Sequence, residues 1–177
     1  MGLLITKDDF TGVNAISKSI SSNIDAYIAE WEERYLVELL GASLFKLFKA
    51  DVNGTTKIPN TLIYQNIYNA IAEDYSILYL GCDSNIIISR GMKEMLVAFI
   101  WYQFIVGEKY RSTNTGIVVD SNEVSRNNDF TEGNVFVKYN TAVKDYNSIQ
   151  QYIIINSVDY PLYNGLNKSL MSRLWLK

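Results

Sequence analysis

Met92-Lys93-Glu94-Met95-Leu96-Val97-Ala98-Phe99-Ile100-Trp101-Tyr102-Gln103-Phe104-Ile105-Val106 is the stretch whose reading decides the fold. From Met95 to Val106 only Gln103 interrupts the apolar run. A membrane span needs about 20 such residues, so this run reads as a buried helix. Met92, Met95, Leu96, Phe99 and Gln103 share one side, while Ile100, Trp101 and Ile105 occupy much of the remainder. A helix apolar nearly all round belongs at the centre of a bundle or at a subunit interface, and the core is the simpler expectation. Ser89, just ahead of it, is its expected cap.

Working outward, other helices gather around this one. Ile24, Tyr27, Ile28, Trp31, Tyr35 and Leu39 recur at helical spacing, with Ser21 or Ser22 as cap and Gly41 as the end. Glu30, Arg34 and Glu38, four apart, are expected to form exposed ion pairs on the opposite side. A shorter helix follows over 42–50, then a turn at Asp51-Val52-Asn53-Gly54-Thr55. Ile63, Ile67 and Ile71 predict a third helix, capped by Asn60 and running to about Leu80. The segment from Asn85 to Ile88 reads either as a strand or as the approach to the central helix.

Beyond the central helix, a long helix is expected from Thr131 to Asn156. Tyr139, Val143, Tyr146, Ile149 and Ile153 form its apolar stripe, with Lys138, Lys144 and Asp145 on the polar side. Tyr160-Pro161 ends helical geometry, and Leu166, Leu170, Leu174 and Trp175 suggest one more short helix in the tail. The polar segment 110–131 breaks the helical pattern around one apolar island, Ile117-Val118-Val119, which suits a strand in a hairpin or arm.

The expected fold is therefore mainly α: a bundle of about five helices with a long arm or β-hairpin-like insertion between the last two long helices. One domain of 177 residues accommodates it, with 1–20 as an N-terminal arm, 110–131 as an extended loop or hairpin and 157–177 as a C-terminal tail. Leu3, Leu4 and Ile5 in the first arm either pair as a short strand or pack against the bundle.

Composition narrows the chemistry. Histidine is absent, which removes imidazole acid–base work, Ser–His and Cys–His pairs, and most zinc and iron sites. The single cysteine, Cys82, cannot form an internal disulfide and lacks a histidine base, so a structural thiol is expected. The net charge is −3, with no strong basic stripe to suggest duplex nucleic acid as a partner. The start of the chain lacks the basic region and long apolar core of a signal peptide. Met1-Gly2-Leu3-Leu4-Ile5-Thr6 fits the myristoylation pattern only formally.

No phosphate-binding loop, dinucleotide fingerprint or nucleophile elbow occurs. The stretch from Asn127 to Gly133 departs from a calcium loop: its glycine falls one place late, and Lys138 stands where the bidentate carboxylate is needed. Glu30 with Glu33 and Asp120 with Glu123 are close in sequence, as carboxylates on solvated surfaces often are. No catalytic residue, metal or cofactor is expected. Lys109, Arg111 and Arg126 bracket the polar segment and suit either loop solubility or an acidic partner. The many tyrosines, 13 in all, suit core edges and interfaces.

Four segments carry a resemblance. Tyr35-Leu36-Val37-Glu38-Leu39-Leu40-Gly41-Ala42-Ser43-Leu44-Phe45 resembles the start of small phage neck proteins. Gly91-Met92-Lys93-Glu94-Met95-Leu96, with Phe99-Ile100-Trp101-Tyr102, resembles their central helix. Ser112-Thr113-Asn114-Thr115-Gly116-Ile117-Val118-Val119 is similar to the piece that follows that helix. Tyr139-Asn140 with Ala142-Val143 resembles the helix after it. The resemblance is to the head–tail connector proteins (adaptor or ring proteins) of tailed phages, notably Bacteroides-infecting and crAss-like phages.

The resemblance implies a non-enzymatic virion protein, made in the host bacterial cytoplasm and placed in the capsid–tail neck. It implies a homo-oligomeric, twelve-fold ring that binds the portal and the next neck or tail protein. Genomic DNA would pass through the lumen without sequence-specific contacts, and no membrane is involved. The expected interface residues are Arg111, Thr113, Asn114, Thr115, Gly116, Ile117, Val118 and Val119 in the arm, with Leu174 and Trp175 in the tail. The alternative is a small helical DNA-binding or regulatory protein, and after it an enzyme with a carboxylate-only site.

Overall fold

The computed structural model describes residues 2–16, 23–75, 85–113, 116–119 and 132–163. Its centre is the helix that the apolar run announced, α3 (Met92–Lys109), following α1 (Ile24–Asp51) and α2 (Leu62–Tyr68) and followed by α4 (Glu132–Ile155). Met92, Met95, Leu96, Phe99 and Ile100 are all fully buried, and Trp101, Tyr102 and Phe104 nearly so. Helix α3 packs most extensively on α4 and then on α1. The rings interlock: Tyr35 stacks on Phe99 at 4.5 Å, and Phe99 meets Tyr139 edge-on at 5.4 Å. Gln103, the polar residue in the run, donates to the Tyr35 hydroxyl at 2.7 Å. The half-buried amide thus gives the buried phenol oxygen a partner.

Helix α1 breaks at Gly41, whose φ of 75° and ψ of 155° are not helical, so the expected two helices meet there at a kink. The expected stripe is buried at Ile24, Ile28, Tyr35 and Leu39. The opposite face differs from expectation. Arg34 lies over the Trp31 ring at 5.0 Å, and the ion pair on this helix joins Glu33 to Lys49 across the kink at 2.8 Å.

The third helix is much shorter than its periodicity predicts. It ends at Tyr68, and Ile71–Tyr75 forms strand β1, antiparallel to β2 (Asn85–Ser89). Two forces override the four-residue spacing. Ile86-Ile87-Ile88 is a β-branched run that favours a strand and recruits 71–75 as its partner. Gly91, at φ 98°, brings its backbone across the end of α2, so a Cβ there would stand 2.8 Å from the Tyr68 carbonyl oxygen. The crossing leaves no room for another helical turn. The cap also shifts from Asn60 to Thr61, while the Asn60 side chain bonds the Asp51 carbonyl. Ser89 does lie at the mouth of α3, where its hydroxyl accepts from the Gly91 N–H at 3.1 Å.

The last long helix, α4, buries the whole expected stripe of Tyr139, Val143, Tyr146, Ile149 and Ile153. Asp145 was expected on the polar side, yet it is buried. It accepts from the Arg90 backbone N–H at 2.9 Å and from the Arg90 side chain at 2.8 Å, which fastens the end of β2 to α4. Between α3 and α4 a second antiparallel ribbon forms from β3 (Tyr110–Thr113) and β4 (Gly116–Val119). The molecule is mainly helical, with a hairpin between its last two long helices, as the sequence leads one to expect. After α4 the chain turns, and the Tyr160 hydroxyl donates to the Ile63 carbonyl at 2.7 Å. The short helix expected around Leu166 to Trp175 lies outside the described residues.

Candidate assembly surface

Two non-helical segments, both expected as arms from the sequence, are held differently. The first runs from Gly2 to Ile16 and packs as an arm against the bundle, not as a strand. Leu4, Ile5 and Phe10 enter the core. The main fastening is Glu32 of α1, only 3% exposed, whose carboxylate accepts from three successive backbone N–H groups: Leu3 at 2.5 Å, Leu4 at 2.7 Å and Ile5 at 3.0 Å. Burial pushes the Glu32 carboxyl above its ordinary range, and the bonds from Leu4, Leu3 and Ile5, with the charge of Lys57, offset this only in part.

Further contacts hold the rest of the arm. Lys57 donates to the Gly2 carbonyl at 2.8 Å. It lies two residues past the predicted turn, which Asn53 shapes by accepting from the Thr55 and Thr56 N–H groups. Asp9 pairs with Lys93 at the start of α3 at 2.7 Å. Lys138 of α4 donates to the Val13 carbonyl while lying over the Trp101 ring at 3.6 Å. Gly2 has no space for a side chain, because a Cβ would stand 2.2 Å from the Ile5 carbonyl oxygen.

The second segment is the β3–β4 ribbon. Its register pairs Tyr110 with Val119, Arg111 with Val118, Ser112 with Ile117 and Thr113 with Gly116. Among the described residues, its main contacts apart from its internal pairing are with α3, from which it continues directly. An isolated two-stranded ribbon is marginally stable in water, so this one is suited to gain support from another surface. Of the expected interface residues, the structure brings Arg111, Thr113, Gly116, Ile117, Val118 and Val119 together in this ribbon. Asn114, Thr115, Leu174 and Trp175 lie outside the described residues, as do Cys82, Arg126 and the pair Asp120 and Glu123.

A shallow hollow beside the first arm is lined by Glu32, Glu33, Lys49 and Lys57, with Gly2 and Leu3. Its carboxylates are committed: Glu32 to the arm backbone and Glu33 to Lys49. Among the described residues no cluster of three or more Asp, Glu or Cys could hold a metal ion, and no helix is long and apolar enough to cross a membrane. Sequence reasoning missed Glu32 and Asp145 as structural anchors. For Glu32 a signal existed, since Ile28, Glu32 and Leu36 follow one another at four-residue spacing within the buried stripe.

Neither a curated protein nor a solved structure matches the chain. Residues 36–169, from the middle of α1 past the end of α4, match one family profile. By that match, which spans most of its length, the chain belongs to DUF6712, a family of unknown function.

Proposed function

We propose that this protein is a structural subunit of the phage neck, a ring component that joins the portal to the next neck or tail protein and surrounds the DNA exit channel. The observation that carries the reading is the β3–β4 ribbon, which continues from the end of α3 and, among the described residues, contacts mainly itself and that helix. A closed ring needs a heterologous interface, in which one patch of each subunit meets a different patch on its neighbour. A short ribbon held at one end suits the first patch. The carboxylates of the one hollow described above are tied up in structural bonds, which favours a building role over a catalytic one. On this reading the copies form a twelve-fold homo-oligomer in the virion, and DNA passes without sequence-specific contact.

Deleting Thr113–Val119 tests the proposal. The variant is expected to keep its far-ultraviolet circular dichroism yet fail to form rings, alone or on purified portal, by electron microscopy. Rings from the deletion variant indistinguishable from those of the intact chain would refute the arm. Absence of the protein from the neck of virions would refute the function.

A further inference from the structure

The arm at residues 2–16 carries local structure of its own. Its backbone bonds include the Asp9 N–H to the Thr6 carbonyl at 3.1 Å, the Asn14 N–H to the Thr11 carbonyl at 3.0 Å and the Ala15 N–H to the Gly12 carbonyl at 3.1 Å. The Asp9 carboxylate also accepts from the Thr6 N–H at 2.8 Å. The ties to the bundle are of another kind. Glu32, Lys57, Lys93 and Lys138 each reach the arm from a different element, through a side chain. Such ties release one at a time, with no backbone ladder to break, which favours local opening over global unfolding.

One of these ties stands at an unfavourable place on the backbone. Residues 52–59 double back on themselves: Val52 bridges to Pro59, the Asn53 N–H donates to the Ile58 carbonyl at 3.0 Å, and the Lys57 N–H donates to the Asn53 carbonyl at 2.9 Å. Within that closure Lys57 has a φ of 61°, and no other non-glycine residue among those described has a positive φ. Left-handed backbone favours glycine, because a Cβ there crowds the following carbonyl oxygen. The turn does contain a glycine, Gly54, but not at the left-handed position. Lysine holds that position instead, and its ammonium reaches the Gly2 carbonyl at 2.8 Å. Glycine would serve the turn better and the arm not at all.

The tie lies at the end of the arm where opening can begin. Gly2 and Leu3, with Glu32 and Lys57, line the shallow hollow, so water can take over the Gly2 carbonyl and the ammonium as they part. The Lys57 charge also faces the Glu32 carboxylate, which holds the next three N–H groups. Lys93 and Lys138 hold the arm further on, at Asp9 and Val13. We propose that the arm is a strap that unfastens from its Gly2 end ahead of the bundle, and that Lys57 is the positioning residue that sets how often it does so.

Hydrogen exchange of the full-length chain under native conditions tests this. The amides of Leu3, Leu4 and Ile5 are expected to exchange about tenfold or more faster than those of Phe99 and Ile100 in α3. Lys57→Gly and Lys57→Ala are each expected to speed the three arm amides by about a further tenfold, the effect of losing one bond to a charged group. The two variants part in urea, where the glycine variant, free of the left-handed strain, is expected to have the higher midpoint. Arm amides that exchange in step with α3 in the unaltered chain would overturn the strap. Arm rates unchanged in both variants would remove Lys57 from it. A midpoint for Lys57→Gly at or below that of Lys57→Ala would overturn the reading of its backbone.

Discussion

The arm at residues 2–16 and the β3–β4 ribbon are both non-helical segments attached to the same bundle, yet one is bolted down and the other is held at its root. The arm contributes Leu4, Ile5 and Phe10 to the core and is tied to α1, to the turn before α2, to α3 and to α4. Among the described residues, the ribbon draws its main support from its own pairing and from α3. The contrast teaches that extended structure outside the helices is not one category. A segment whose backbone polar groups are satisfied by the bundle belongs to the fold, and one that satisfies them internally is available to a partner.

The strongest way to break the contrast is to remove the bolt. Glu32→Ala strands three arm N–H groups beside the core, each worth about 1–3 kcal/mol when buried and unpaired, less whatever water regains. An overall loss of about 3 kcal/mol is expected from the urea midpoint of the variant. Protease cleavage within residues 2–16 is expected to accelerate in parallel. A loss below about 0.5 kcal/mol, the scale of an ordinary surface change, would mean that the arm is not part of the cooperative fold. Ile5→Ala comes next, at about 2–4 kcal/mol for a cavity in a filled core.

Much of the fold was legible because it follows from spacing. The buried faces of α1, α3 and α4 are the apolar stripes of the sequence, since a stripe too wide to leave in water must be covered. The helix expected over 60–80 was not legible correctly, because Ile63, Ile67 and Ile71 carry the same spacing whether or not Ile86-Ile87-Ile88 arrives to pair with part of it. That competitor lies outside any local window. Asp145 was misplaced for a related reason: its buried position is made tolerable by Arg90, 55 residues away. The segment from Arg111 to Val119 is a different case: polarity and one apolar island made a hairpin legible there, and the structure forms it as the β3–β4 ribbon.

A smaller effect sharpens the contrast through pH. Ionising Glu32 costs the folded state, because burial outweighs its N–H bonds and raises its pKa. Its contribution is whole below the ordinary value of 4.5 and is lost as pH rises through the raised one. Asp9 runs the other way. Burial pushes it up, but the hydrogen bond and charge of Lys93, with the Thr6 bonds, outweigh burial and hold it below 3.8. Its contribution is present above 3.8 and lost as pH falls through the depressed value. Asp9→Asn is expected to cost about 0.5–1 kcal/mol near neutrality, as befits a partly exposed pair. It should also flatten the acid limb of a Tm–pH profile while leaving the limb governed by Glu32 in place. An unchanged acid limb would remove Asp9 from the fastening.

The smallest expected effect belongs to the ribbon. Replacing Thr113–Val119 by a short glycine-containing turn removes a strand pair whose contacts, among the described residues, are mainly internal and with α3. Two-stranded ribbons are marginal on their own, so the global stability is expected to change by less than about 0.5 kcal/mol. The same deletion is the one expected to abolish ring formation. Only a segment outside the cooperative core combines a negligible cost in urea with a complete loss of assembly. A loss of 2 kcal/mol or more, roughly that of a core truncation, would place the ribbon with the bolted arm. Any assembly defect would then follow from unfolding, and the distinction between the two segments would collapse.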